Sequence, residues 1–124
     1  MPAQRDLAHI NDLKQNIILD IQLGNANIGD STISIEGNPV LDTNGLTLHL
    51  KNSFHYDLGP ASLLKNKEIE VLSLLSPNPA VSDRTLILTY SLVNASFLTP
   101  KSRKLTSASY DNNNDSFEIT IKLI

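Results

Sequence analysis

From Asn16 onward, apolar and polar residues alternate with a period of two, and turn residues interrupt the alternation repeatedly. This pattern is typical of short β-strands that bury one face and expose the other. The strongest example is the segment 84–93, RTLILTYSLV, in which Ile87 and Val93 place apolar side chains on the second face as well. The segment is therefore predicted to be a central strand or a strand whose outer face is covered.

The whole pattern predicts about seven to eight short strands over residues 16–124. Strands of this number and length fit an all-β, single-domain antiparallel β-sandwich, with a small barrel as the alternative. Jelly-roll and immunoglobulin-like arrangements both fit the pattern, because periodicity does not encode strand order. A chain of 124 residues that is 40% hydrophobic is large and apolar enough to form one stable domain.

Residues 1–15 follow a different pattern. Leu7, Ile10 and Leu13 recur at the spacing of one helix face, and Pro2 suits the first turn of a helix. The spacing predicts a short helix over about residues 3–15, in an N-terminal arm that precedes the sandwich. This helix would cover one open end of the sandwich or reach a neighbouring subunit.

Composition excludes several classes of function. The net charge is −3, and with three Phe, three Tyr and no Trp the chain lacks the basic footprint and stacking platforms of a nucleic-acid-binding protein. The densest basic cluster, Lys101 to Lys104, is expected to be a solvated loop. The absence of cysteine excludes disulfides, thiolate metal sites and a cysteine nucleophile.

The N-terminal segment lacks the apolar core of a signal peptide, and no apolar run approaches the roughly 20 residues of a membrane span. The chain is therefore expected to be cytoplasmic, or exported without a cleaved signal peptide, and to have no membrane span.

The segment 111–116, DNNNDS, resembles the start of a calcium-binding loop, since Asp111, Asn113 and Asp115 alternate as oxygen ligands would. An EF-hand also needs glycine at the sixth position and glutamate at the twelfth, where this chain has Ser116 and Lys122. Calcium binding would then need carboxylates from other loops, such as Asp30, Asp42 or Asp83. A tight turn is the simpler interpretation, so no cofactor is expected, with calcium as the alternative.

A second candidate metal site lies in residues 45–58. If the chain forms a hairpin over Lys51 to Ser53, His49 faces His55 with Asp57 nearby, and two imidazoles can share a transition metal. If the segment is instead one long strand, the two histidines are about 20 Å apart at roughly 3.3 Å per residue. The sequence leaves both alternatives open.

No catalytic motif is present: the chain has neither a nucleophile elbow nor a glycine-rich phosphate loop. Glu68 and Glu70 lie on one side of a strand and are interpreted as part of a solvated face. The protein is therefore not expected to be an enzyme.

The favoured hypothesis is a non-catalytic interaction or structural module that acts through protein contacts, in a larger assembly or as a homo-oligomer. It rests on apolar residues in segments 61–64 and 95–100, which either fold back on the core or present an anchor to a partner. The candidate contact residues are Leu63, Leu64, Ile87, Val93, Phe97 and Leu98. The alternative is a carbohydrate- or other ligand-binding module, calcium-assisted, with Tyr110 as its stacking residue.

Overall fold

The computed structural model of the protein describes residues 2–98, 101–108 and 114–124, with only the backbone at Ala108. The described chain forms two packed β-sheets, which confirms the predicted all-β sandwich. The elements in chain order are β1 (Ala3–Ile10), β2 (Asn16–Leu23), β3 (Ile28–Ile35), β4 (Asn38–Pro39), β5 (Leu50–Lys51), β6 (Phe54–Pro60), α1 (Ala61–Leu64), β7 (Glu68–Ser76), β8 (Thr85–Val93), β9 (Ala95–Phe97), β10 (Ser102–Ala108) and β11 (Asp115–Leu123).

Sheet A runs in the order β4, β3, β7, β11, β1 and β9, and β5 pairs with β3 on the same edge as β4. Sheet B runs in the order β10, β8, β2 and β6. Neighbouring strands are antiparallel, except that β1 runs parallel to β11. The first two strands lie in opposite sheets, whereas strands A and B of a constant-type immunoglobulin domain share one.

The core lies between the sheets and is built from alternate residues of the long strands. Ile17, Leu19 and Ile21 of β2 are all 0% exposed, as the alternation predicts. The segment 71–75 of β7, VLSLL, has apolar residues on both faces, a pattern that fits a bulge or burial on both sides. The structure instead keeps a regular register with β3 and β11, and leaves Leu72 and Leu74 each 47% exposed.

The prediction of a helix over residues 3–15 is wrong, because residues 3–10 form strand β1 inside sheet A, between β11 and β9. Its inward positions carry Gln4, Asp6, Ala8 and Ile10, while Leu7 points outward and is 59% exposed. Two polar residues on the inward side and a leucine on the outward side interrupt the alternation, which is why the period-two pattern was not visible. The N-terminal segment is part of the sandwich.

Neither prediction for residues 45–58 is correct. Leu50 and Lys51 pair with β3 in sheet A, whereas the strand that begins at Phe54 pairs with β2 in sheet B. The chain therefore crosses from one sheet to the other between them. Asn52 makes this crossing in a left-handed conformation (φ 58°), and its Oδ1 accepts a hydrogen bond from the Gly29 amide at 3.1 Å.

Buried and partly buried polar side chains join neighbouring elements. The hydroxyls of Ser31 and Ser73 form a 2.6 Å hydrogen bond between β3 and β7. Asn94, with φ 69°, links β8 to β9 and clamps the loop before β2. Its Oδ1 accepts from the Asp12 amide at 2.9 Å, and its Nδ2 donates to the carbonyls of Asp12 and Gln15 at 2.7 and 3.1 Å.

The one helix of the described residues, α1, is four residues long. Within the described ranges, no helix has the length and apolar character needed to cross a membrane.

Candidate interaction surface

The outer face of sheet A is the most distinctive described surface of the molecule. We call it the A face and define it by the outward side chains of β3, β7, β11 and β1. Leu72 and Leu74 occupy successive outward positions of β7, and Ile28 of β3, 49% exposed, lies at the same end of the sheet as Leu74. Leu72 lies directly opposite Thr32 on one side and Glu118 on the other.

Small hydroxyl residues surround these apolar side chains. They are Thr32 and Ser34 of β3 and Ser116 and Thr120 of β11. Four strands spaced about 4.8 Å apart, over eight residues at about 3.3 Å each, give a face of about 500 Å². A flat surface of this size approaches the roughly 800 Å² that each partner contributes to a standard protein interface.

Three charged groups of this face, Arg5, Glu68 and Asp30, have charged partners. Arg5 Nη2 lies 3.2 Å from Glu68 Oε1, across the neighbouring strand β11. Asp30 accepts from Lys51 Nζ at 2.7 Å and lies 2.9 Å from His49 Nδ1. The Lys51 hydrogen bond, assisted by His49, holds the pKa of Asp30 below its ordinary value.

Glu70 and Glu118 differ from these groups. Both are exposed, and neither forms an ion pair or side-chain hydrogen bond with any residue in the described ranges. They flank a shallow depression of about 370 Å³, whose lining also includes Arg5, Thr32, Leu72 and Thr120. The depression thus combines several hydrogen-bond acceptors and one cation with an apolar wall.

A buried ionic cluster joins the two sheets. Asp6 of β1 accepts from Arg103 Nε of β10 at 3.0 Å and from the Tyr90 hydroxyl of β8. The Asp6 and Arg103 side chains are only 7% and 18% exposed. The Arg103 guanidinium lies 4.8 Å from the centroid of the Phe97 ring, which meets the Tyr90 ring edge-on at 5.7 Å.

The cluster is structural rather than catalytic in its arrangement, because its charged groups face each other between the sheets. Burial, and then the Asp6 carboxylate, raise the pKa of Tyr90. Sequence reasoning missed the cluster because Asp6 occupies a strand that was predicted to be a helix. It also placed Arg103 in a solvated loop, whereas Arg103 points inward from β10.

The residues predicted to contact a partner fall into two groups. Leu64 and Phe97, at 4% and 5% exposure, fold back into the core. Ile87 is partly buried and packs close to Gly24, where an added Cβ would lie 2.9 Å from the Ile87 Cβ. The exposed members are Leu63 in α1, Val93 at the end of β8 and Leu98 after β9, and none of them lies on the A face.

The structure separates the predicted histidine site. His49 pairs with Asp30 of β3, whereas His55 Nδ1 lies 3.1 Å from Asp20 Oδ1 on β2. Asp57 accepts two bonds from the Asn16 amide, at 3.1 and 3.0 Å, which contribute most to lowering its pKa. Within the described ranges, no three metal-ligating side chains come together.

The predicted calcium ligands are only partly visible. Tyr110, Asp111 and Asn113 lie outside the described residues, so the prediction for that loop stays a prediction. Asp115 accepts a hydrogen bond from the Ser107 hydroxyl at 2.5 Å.

No protein-family model, curated protein or solved structure matches the chain.

Proposed function

We propose that this protein is a non-catalytic interaction module that binds a protein partner through the A face. The observation that carries the proposal is the exposure of Leu72 and Leu74 side by side on a central strand. Solvated faces of antiparallel sheets ordinarily alternate to polar residues at such positions. Single exposed leucines are common, but adjacent ones on a flat sheet face are typical of an interaction site.

The shape of the surface supports a protein rather than a small molecule as the partner. Small-molecule sites are concave and enclose most of their ligand, whereas the A face is flat apart from one shallow depression. Full burial of a leucine contributes about 1.5 to 3 kcal/mol. Because Leu72 and Leu74 are each 47% exposed, covering both would contribute about 2 kcal/mol in total.

A photo-crosslinking experiment tests the proposal. A benzoylphenylalanine residue is introduced at position 72, and in a control protein at Thr89 on the outer face of sheet B. Irradiation in cells of the source organism is expected to give a discrete crosslinked species from position 72 only. Substitution of Leu74 by lysine should abolish it. Absence of a crosslink at 72, or equal crosslinking from both positions, would contradict the proposal.

The alternative function, a calcium-assisted carbohydrate-binding module, depends on Tyr110, Asp111 and Asn113, outside the described residues. It remains a separate hypothesis, which a glycan array screened with and without calcium would test.

A further inference from the structure

We propose that the partner presents an arginine to the A face, beside the apolar groups that cover Leu72 and Leu74. This inference rests on the proposed function and specifies the chemistry of its partner. It is carried by Glu70 and Glu118, the two carboxylates of the A face that lack a partner among the described residues.

The strand register places these two carboxylates close together. Glu118 of β11 lies opposite Leu72, and Glu70 of β7 lies opposite Thr120. The two glutamates are therefore diagonal neighbours on adjacent strands, with Cα atoms about 7 to 8 Å apart. Because both are also adjacent to Leu72, a group that covers this leucine must lie against both carboxylates.

The charges nearby compensate this pair only in part. Arg5, which also lines the depression, lies one strand beyond Glu118, and its guanidinium bonds Glu68. Lys122 of β11 is the other diagonal neighbour of Glu70, and it forms no ion pair with any described residue. The ammonium of Lys51 is held by Asp30 on the opposite edge. Two like charges at this separation repel one another, and a cation placed between them would interact favourably with both. The region around Leu72 therefore complements a positive charge.

The depression between the glutamates favours arginine over lysine. Its lining includes the hydroxyls of Thr32, Ser34 and Thr120 as well as both carboxylates. A guanidinium has five N–H donors and no acceptor, so this set of acceptors can satisfy it. Its plane can bond a carboxylate through two parallel hydrogen bonds while its stem lies along the Leu72 side chain.

The same charges disfavour other occupants. An anionic lipid surface or a nucleic acid would meet two carboxylates that form no ion pair with any described residue. A second copy of the chain would bring Arg5 and Lys122 together with the same carboxylates, so its A face would carry the same excess of negative charge. These occupants are treated as outcomes of the test.

The test is a selection of displayed random peptides on the immobilised full chain. The selected peptides are expected to contain arginine next to apolar residues. Their affinities are then measured by fluorescence anisotropy for wild type and three variants. The double variant Glu70→Gln/Glu118→Gln removes the charges, Leu72→Thr/Leu74→Thr removes the apolar groups, and Lys104→Gln on sheet B is the control.

The glutamine variant is expected to bind about fivefold more weakly, as two exposed ion pairs would give. Replacing the peptide arginine by glutamine should weaken wild-type binding by a similar factor but have little further effect on the glutamine variant. Lys104→Gln should leave affinity unchanged. Because all these positions are exposed, unchanged thermal melting is expected to show that each variant is folded.

Several results would overturn the inference. If the leucine variant loses binding while the glutamine variant does not, the arginine inference fails and the proposed function stands. If neither variant affects any selected peptide, both fail. Selection of acidic peptides would also refute the inference that the partner presents an arginine. The inference would fail as well if size-exclusion light scattering showed a wild-type dimer that the leucine variant converts to a monomer, because a second copy would then occupy the A face.

Discussion

Replacing Arg103 by methionine is expected to destabilise the protein strongly. The substitution keeps an unbranched side chain but removes the charge that faces Asp6, whose side chain is only 7% exposed. Asp6 would retain the Tyr90 hydroxyl and a 3.4 Å contact with Gln4 Nε2, without a cation. Removing one partner of a buried ion pair typically costs about 3 to 5 kcal/mol.

That loss is a large share of the total, since domains of this kind have unfolding free energies of about 5 to 15 kcal/mol. With a urea m-value of about 2 kcal/mol per molar, the midpoint of unfolding should fall by about 2 M. Equilibrium urea unfolding followed by circular dichroism measures this shift.

The double variant Asp6→Leu/Arg103→Met is the decisive control. It removes both charges and leaves no carboxylate to desolvate, although the Tyr90 hydroxyl loses its acceptor at a cost of about 1 to 3 kcal/mol, so the double variant should be clearly more stable than Arg103→Met alone. If Arg103→Met alone costs less than about 1 kcal/mol, or if the double variant is as unstable as the single one, the carboxylate is not held by this pair and the reasoning fails.

Tyr90 gives the same cluster a signature at alkaline pH. Its pKa is raised in the folded state, chiefly by burial and then by Asp6. The contribution of Tyr90 to the free energy of unfolding is therefore fully present below the unfolded-state pKa of about 10. Above that pH it decreases by about 1.4 kcal/mol per pH unit. Tyr90→Phe should lack this dependence between about pH 10 and pH 11, and parallel stability curves for the two proteins would refute it.

Three further predictions concern other polar contacts. Lys51→Met should raise the pKa of Asp30, because Lys51 contributes most to lowering it; carboxyl NMR titration measures this pKa, and an unmoved value would contradict the prediction. The stability that Asp30 contributes is present above about pH 4 and is lost as pH falls through its folded pKa, and it should be smaller in the variant. Asn94→Ala should lower the free energy of unfolding in urea by about 2 to 4 kcal/mol, and Asn94→Gly should lower it clearly less, because glycine adopts a positive φ without strain. Equal decreases for the two variants would contradict this explanation. Ser31→Ala and Ser73→Ala should each cost about 1 kcal/mol, but together less than their sum, whereas strict additivity would exclude coupling through their hydrogen bond.

The long central strands could be predicted from sequence because burial alternates along them as side chains do. In β2, each of Ile17, Leu19 and Ile21 is fully buried, so the apolar pattern and the structure agree. Strand β1 could not be found this way. Its inward residues include Gln4 and Asp6, and what makes Asp6 acceptable inside is Arg103, almost a hundred positions later in the chain. Local pattern carries no information about such a distant partner.

The candidate surface was hidden for a related reason. A run such as VLSLL is apolar on both sides, and nothing local shows which side meets the opposite sheet and which meets solvent. The relative position of His49 and His55 could not be predicted, because it depends on strand pairing: Leu50 pairs with β3, whereas Phe54 pairs with β2. The period-two pattern correctly favoured a β-sandwich, but strand order and the choice of outer face are properties of the assembled sheets.

The mixed polarity of β1 bears on its strand register. A slip of one residue along β11 would turn every side chain to the other face, placing Leu7 in the core and releasing Asp6 to water, but also burying Arg5 and His9. Burying Leu7 would favour the slipped register by up to about 2 kcal/mol, whereas burying the Arg5 charge would oppose it. The salt bridge between Asp6 and Arg103 therefore helps to select one strand register as the native state. Apolar substitutions at these two positions could fill the core equally well and still leave the chain divided between two registers.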